Sequence, residues 1–229
     1  MKGVRLMNII VIDLEFTAVP SKFKEFRKTC HNETIEIGAV KLDETKQIVD
    51  RFDMYVKPLM ATVSPEVQNL TGIVEADLAG APSFEEAMDR FAAWMGEDEA
   101  EIYSWSTADF YQIKREAEAK GYENPALERM YASWHDLQAE YCRKIGFGQK
   151  LSLANALRSA DIPFVGKEHS AADDAENTAS IYLFMINDEA FKMKMQAVLE
   201  LLAPSEPLTC SLGSFFPAEL LKNDGEKAC

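Results

Sequence analysis

The sequence predicts an α/β domain in which helices pack on a mixed β-sheet. Three observations lead to this fold class: a β-branched apolar run near the start of the chain, two strand-like segments that follow it closely, and a later region in which helices alternate with short strands. The chain has 229 residues, of which 47% are hydrophobic. This is enough for one large domain, or for one domain with an appendage.

The first three elements are predicted to be strands. Residues 8–15 form a short, continuous apolar run, which is typical of a central strand buried on both faces. Residues 34–42 alternate between apolar and polar side chains, and residues 47–56 end before Pro58. The turn at residues 43–46 is short, so these strands are expected to form an antiparallel meander.

Helices dominate after residue 64. Ser64 followed by Pro65 is a helix start, and Ser83 with Glu86 makes a capping box ahead of apolar residues at helical spacing. The remaining predicted elements are strands at residues 102–105 and 130–134, and helices at residues 109–120, 136–145, 152–160 and 171–186. The sheet therefore has five strands.

The end of the chain differs from the rest. We divide the sequence into a main domain, residues 1–190, and a C-terminal helix with an irregular extension, residues 191–229. Four cysteines without a C-x-x-C pair predict free thiols in a reducing compartment. No apolar stretch is long enough to cross a bilayer, so we expect a cytoplasmic protein that does not bind membranes.

The net charge of −14 argues against broad electrostatic binding of nucleic acid. Proteins that coat duplex nucleic acid are basic, so this chain is not expected to bind polyanions over a wide surface. The negative net charge is compatible with an enzyme that binds one short end of a nucleic acid through metal ions.

Asp13 and Glu15 are the most informative residues. They lie within an apolar strand and are separated by one residue, so both side chains point to the same face of the sheet. Two carboxylates at the end of a buried strand repel each other and lose hydration, which a divalent cation between them would offset. The alternative is a strand end that faces solvent, where the pair is simply hydrated.

Two later segments add carboxylates and a histidine. Asp109 follows the strand at residues 102–105, and Asp174 opens a helix five residues after His169. An acidic residue in the first turn of a helix is also explained by the helix dipole. If the segments converge on one sheet edge, they could hold two Mg²⁺ or Mn²⁺ ions beside a phosphodiester, with His169 as general base.

In this order and context the chain resembles the DEDDh group of 3′–5′ exonucleases, which have the ribonuclease H-like fold. The resemblance covers residues 8–188 and is strongest with the branch that contains histone-mRNA- and small-RNA-trimming exonucleases and KapD-like proteins. The matching features are Asp13-Leu14-Glu15, the strand at residues 35–40, Leu-Thr-Gly-Ile at residues 70–73, Asp109, and the pair His169 and Asp174.

The resemblance implies an enzyme that releases nucleoside monophosphates from a single-stranded 3′ end, with RNA favoured over DNA. It identifies no protein partner. The implied metal ligands are Asp13, Glu15, Asp109 and Asp174, with two ions of Mg²⁺ or Mn²⁺, and His169 is the implied general base. The residues implied to contact the terminal nucleotide are Phe16, Thr17, Leu70 and Ile73, the last two as alternatives for the surface beneath the base.

Several alternatives stay open. The same residues would serve a DNA proofreading or repair exonuclease, and a binding module that has lost catalysis would keep the fold. The basic segment at residues 18–33 is either an ordinary solvated loop or a lip over the substrate path. Asp173 is off the spacing of the motif, so we interpret it as a helix-start residue.

Overall fold

A mixed five-stranded sheet forms the centre of the protein. The structure is a computed structural model that describes residues 8–202, with side chains through residue 196. The strands lie in the order β3-β2-β1-β4-β5. They are β1 Asn8–Ala18, β2 Asn32–Leu42, β3 Ile48–Tyr55, β4 Ala100–Ser104 and β5 Trp134–Asp136.

The pairing of the strands confirms the predicted meander. β2 is antiparallel to both β1 and β3, whereas β4 is parallel to β1 and to β5. β1 is therefore the central strand, as its apolar sequence predicts. The register shifts between Glu15 and Phe16, which pair with Glu36 and Thr34, so Ile35 of β2 is the extra residue of a bulge beside the acidic pair.

Helices cover both faces of the sheet, and most of them begin where the sequence predicts. The side chain of Ser64 accepts the N–H of Val67, and Ser83 and Glu86 form the predicted capping box. The helices are α1 Lys24–Arg27, α2 Pro65–Thr71, α3 Glu75–Leu78, α4 Phe84–Met95, α5 Thr107–Lys120, α6 Pro125–Ala132, α7 Leu137–Lys144, α8 Leu153–Ala160, α9 Ala171–Ile186 and α10 Asp188–Leu202.

The strand predicted at residues 130–134 is wrong for most of its length. α6 extends to Ala132, and β5 begins only at Trp134. The side chain of Asn124 caps α6 by accepting the N–H of Ala126, and Pro125 occupies the first turn. The helical arrangement buries Leu127 and Met130 on one face, which outweighs the strand propensity of the segment.

Alternation along β1 separates two hydrophobic cores. Ile10 and Ile12 pack with α4 and α5 on one side of the sheet. Ile9 and Val11 pack with α7, α8 and α9 on the other. Side chains alternate along a strand, so Asp13 continues the row of Ile9 and Val11 and faces the layer that contains α9.

α10 begins at Asp188, before the predicted division at residue 190. Its residues Phe191 and Met195 are buried in the core that contains α9. The division itself stays a prediction, because the expected irregular extension at residues 203–229 lies outside the described residues. Within residues 8–202, none of the helices has both the length and the hydrophobicity that a bilayer-crossing segment needs.

Candidate active site

Three elements bring acidic residues to the carboxyl end of β1. β1 supplies Asp13 and Glu15, the first turn of α5 supplies Asp109, and the first turn of α9 supplies Asp174. β4 runs parallel to β1, so the chain leaves β4 at the same sheet edge and enters α5 there. Ser106 caps α5 by accepting the N–H of Ala108, which fixes where this helix begins.

Glu15, His169 and Asp174 form the tightest group. Each offers one potential ligand atom, and these atoms all lie within 4.8 Å of one another. The backbone N–H of His169 donates to Oδ2 of Asp174 at 3.1 Å, so the helix residue holds the loop that carries the imidazole. His169 has a φ of 64°, a left-handed conformation that turns the chain back toward α9.

Asp109 joins the site from the other side of the sheet. Only 5% of its surface is exposed. Its carboxylate accepts hydrogen bonds from its own N–H and from the N–H of Leu14 on β1, and it also interacts with the side chain of Ser104 on β4. These bonds fasten Asp109 to the strand that carries Asp13.

The carboxylates are crowded enough to disfavour their charged forms. Burial, followed by the charges of Asp109 and Asp174, raises the pKa of Asp13 well above its usual range. Burial is also the main cause that raises the pKa of Glu15 to about 8, that of Asp109 to about 7 and that of Asp174 to about 6. A cation among these groups would offset both the repulsion and the lost hydration.

This electrostatic strain predicts how the stability of the metal-free protein depends on pH. Carboxylates in the unfolded chain lose their protons near pH 4, whereas Glu15 and Asp109 hold theirs to about pH 8 and 7 in the folded state. The folded state therefore binds more protons in this window, and these groups lower the free energy of unfolding as pH rises.

In chelator, the midpoint of thermal unfolding is expected to fall between about pH 5 and about pH 8, and Asp109→Asn is expected to flatten this slope. Saturating Mn²⁺ should restore the midpoint of the unsubstituted protein at the higher pH. Circular dichroism melts across this range provide the measurement. A slope that is the same with and without Asp109 would contradict the assignment.

The loop before α9 is fixed by Asn177, which the sequence analysis did not single out, and by Asp173. Asn177, buried inside α9, accepts the N–H of Val165 at 3.0 Å and donates to its carbonyl at 2.8 Å. Asp173 accepts the N–H of Lys167 at 2.8 Å. Asp173 is thus in the first helical turn, as expected, but it also shapes the loop that carries His169. The only feature of the sequence that could have pointed to this role of Asn177 is a polar residue on the buried face of a helix.

Lys167 links this loop to α2. Its Nζ donates to the carbonyl of Thr71 at 2.6 Å. Gly72 follows with a φ of 77°, and a Cβ there would lie 2.2 Å from the Lys167 Nζ. The Leu-Thr-Gly-Ile segment therefore contacts the histidine loop directly, and the charge of Lys167 also lowers the pKa of Glu15.

The four predicted substrate contacts divide into exposed and buried side chains. Leu70 is 51% exposed and Phe16 is partly exposed, so both can present an apolar surface to a base. Ile73 is buried beside Ile35, so of the two alternatives Leu70 is the one that is accessible. Thr17 is also buried, and its hydroxyl donates to the carbonyl of Thr62 at 2.9 Å. The Thr17 hydroxyl is therefore not free for a nucleotide.

The basic segment at residues 18–33 is a small packed unit. Phe26 and Cys30 are buried in a cluster of their own beneath it. Two of its four basic side chains have partners within the segment, since Arg27 donates to the carbonyl of Val19 and Lys28 pairs with a glutamate. The other two cations, Lys22 and Lys24, are exposed.

Comparison with known proteins assigns the chain to a family. The exonuclease family model RNase_T matches residues 10–182, which is most of the sequence. The chain belongs to this exonuclease family. Its membership confirms the DEDDh 3′–5′ exonuclease group predicted from the sequence, together with the ribonuclease H-like sheet.

Individual relatives of this chain are also nucleic-acid enzymes by name. ERI1 exoribonuclease 3 of Homo sapiens is 26% identical over 170 residues, which cover 69% of this chain and 50% of the relative. DNA polymerase III PolC-type of Caldanaerobacter subterraneus is 28% identical over 181 residues, covering 78% of this chain and 12% of the relative. The chain thus spans about half the length of the first of these curated relatives and a small part of the second.

A solved structure shares the fold. The nuclease domain of 3′hExo, a DEDDh family member bound to rAMP, superposes with a TM-score of 0.67 at 22% sequence identity. The match covers 82% of this chain and 95% of that domain. This chain and that nuclease domain therefore share their overall fold.

Proposed function

We propose that this protein is a metal-dependent 3′–5′ exonuclease that releases nucleoside monophosphates from single-stranded nucleic acid, with RNA favoured over DNA. The convergence of acidic residues from β1, α5 and α9 beside one histidine carries this proposal. Membership of the exonuclease family supports it independently.

The residues present fit divalent metal ions. The donors are carboxylate oxygens, which Mg²⁺ and Mn²⁺ prefer. Burial and mutual repulsion raise the pKa values of these groups, and a bound cation would offset both effects. Two ions would be held by the four carboxylates Asp13, Glu15, Asp109 and Asp174. When bound, such ions stabilise negative charge on phosphodiester oxygens and acidify a water molecule.

The remaining chemistry is performed by the chain's own side chains. The imidazole of His169 takes a proton from the attacking water, while its backbone bond to Asp174 keeps it at the acidic cluster. The water oxygen forms a bond to phosphorus while the bond between phosphorus and the 3′ oxygen breaks. The 3′ oxygen takes up a proton and becomes the hydroxyl of the new chain end, and the terminal nucleotide leaves as a monophosphate. Phe16 and Leu70 offer an apolar surface against which the face of the terminal base can stack. Because every base has such a face, this contact does not select among bases.

The preference for RNA is supported by the exoribonuclease relatives. The similarity to a PolC-type DNA polymerase favours the alternative, a DNA proofreading or repair exonuclease. A catalytically inactive binding module is less well supported, because all five motif residues are present.

A time course on matched RNA and DNA single strands, labelled at the 5′ end and resolved to one nucleotide, tests the proposal. With Mn²⁺, both strands are expected to shorten stepwise from the 3′ end, RNA faster than DNA, and chelator should stop the reaction. Faster loss of DNA would favour proofreading or repair. Failure to release mononucleotides from either strand would contradict an exonuclease.

A further inference from the structure

Helix α9, which carries Asp174, is capped by a residue of the sheet. Its own N-cap residue, Ser170, makes no side-chain capping hydrogen bond. The N–H of Ala171 instead donates to Oε2 of Glu36 on β2 at 3.1 Å. Glu36 is only 4% exposed. An acceptor at this point satisfies one of the free N–H groups of the helix start and fixes the helix to β2.

A second contact sets how closely α9 approaches the sheet. Gly38 lies two residues after Glu36 and therefore on the same face of β2. A Cβ at Gly38 would lie 2.0 Å from the carbonyl carbon of Ala171 and 2.1 Å from the amide nitrogen of Ala172. Glycine at this position lets the backbone of α9 rest directly on the strand.

These two residues are the cross-strand partners of the acidic pair. Glu15 pairs with Glu36, and Asp13 pairs with Gly38. Paired residues of antiparallel strands share a face, so the start of α9 rests on β2 directly beside the two carboxylates of β1. Asp174 is in the first turn of α9 and therefore meets Glu15.

We propose that Glu36 is a positioning residue for the metal site: by accepting the N–H of Ala171 it holds the first turn of α9 on β2 and sets Asp174 against Glu15. Glu36 fills this role because its side chain is long enough to place an acceptor oxygen at the N–H of Ala171. Its negative charge is not required for this role. The inference rests on the proposed metal-dependent function.

Two substitutions of Glu36 distinguish the effect of side-chain length from the effect of side-chain charge. Glu36→Gln keeps the length and the acceptor oxygen, and its amide can donate to Asp53, which hydrogen-bonds Glu36. Glu36→Asp keeps the charge but is one methylene shorter, so its oxygen withdraws from Ala171. The probe is Mn²⁺ alone, titrated into the full chain by calorimetry.

Glu36→Asp is expected to weaken Mn²⁺ binding by about tenfold or more, which is typical when a residue that orients a metal ligand is lost. Glu36→Gln is expected to bind Mn²⁺ as the unsubstituted protein does. The opposite order, or unchanged binding in both variants, would overturn the proposal. If Glu36→Asp does not fold, Glu36→Gln decides alone, since weakened binding in that variant contradicts a role through reach.

Glu33 provides a matched control. It is also a buried carboxylate of β2, but it accepts the N–H groups of Leu59, Met60 and Ala61 and does not contact α9 through these bonds. Glu33→Asp is expected to lower the melting temperature while leaving Mn²⁺ affinity unchanged. An equal loss of affinity in Glu33→Asp would show a general effect of strand damage and would overturn the assignment to Glu36.

The outcomes also separate this inference from the proposed function. If the unsubstituted chain binds Mn²⁺ but releases no nucleotide, the exonuclease proposal fails while the order of affinities still tests Glu36. If the chain binds no Mn²⁺, the positioning role is overturned with the metal site. If the unsubstituted chain releases nucleotides and Glu36→Asp binds Mn²⁺ with unchanged affinity, the exonuclease proposal holds and the positioning role of Glu36 is overturned.

Discussion

Replacing Asp13 with asparagine is expected to reduce nucleotide release by on the order of a thousandfold, because a bound metal contributes several kcal/mol of charge stabilisation. Asparagine has the same shape but cannot supply the negative charge that a divalent ion requires. The fold should persist, since the substitution removes a carboxylate whose pKa is raised by burial and by the charge of Asp109. Steady-state rates in Mn²⁺ and a thermal melt in chelator provide the two measurements.

Asp98→Asn is the control for this variant. Asp98 is exposed and precedes β4, so it lies at the end of the sheet opposite to the acidic cluster. Its rate is expected to equal that of the unsubstituted protein. Full activity in Asp13→Asn would remove Asp13 from the metal site, and a loss of folding would show that its role is structural.

Replacing His169 with asparagine is expected to reduce the rate by about 10²- to 10⁴-fold, the usual contribution of a general base. Asparagine is chosen because His169 has a left-handed backbone conformation, which asparagine adopts readily. The loop should therefore keep its hydrogen bond to Asp174.

Metal binding distinguishes the two roles that the geometry allows for His169. Its ring nitrogen is close enough to the oxygens of Glu15 and Asp174 to act as a ligand. As a general base, it should leave Mn²⁺ affinity nearly unchanged in His169→Asn. A large loss of affinity would make His169 a ligand instead. His31→Asn, an exposed histidine before β2, is the matched control and is expected to have a normal rate.

Local patterns predicted most of the fold. Apolar runs and capping residues predicted β1, α4 and α9 closely, because burial and capping at these positions act in the same direction. The wrong prediction at residues 130–134 has a local cause, because Asn124 caps a helix that continues to Ala132 and β5 has only three residues. A strand of that length has no alternation to recognise.

The site was predictable only in part. The spacing of Asp13 and Glu15 pointed to a shared face, but nothing in the residues alone placed Asp109 and Asp174 beside them. The resemblance to a family implies that placement. The charges of Asp109 and Asp174, which raise the pKa of Asp13, and the close group of Glu15, His169 and Asp174 agree with it. The metal and catalytic roles of these residues stay predictions.

Contacts between distant parts of the chain left no pattern in the sequence. Glu36 and Ala171 are separated by 135 residues, and Lys167 and Thr71 by 96. The burial of Thr17 and Ile73 could not be predicted either, because it depends on how neighbouring loops pack.

The central claim is that carboxylates from β1, α5 and α9 together bind divalent ions. Anomalous diffraction from crystals soaked in Mn²⁺ tests it most directly. The expected result is two manganese peaks whose ligands include Asp13, Glu15, Asp109 and Asp174. Saturating Mn²⁺ with no peak at the carboxyl end of β1, or peaks that only surface carboxylates ligate, would contradict the account.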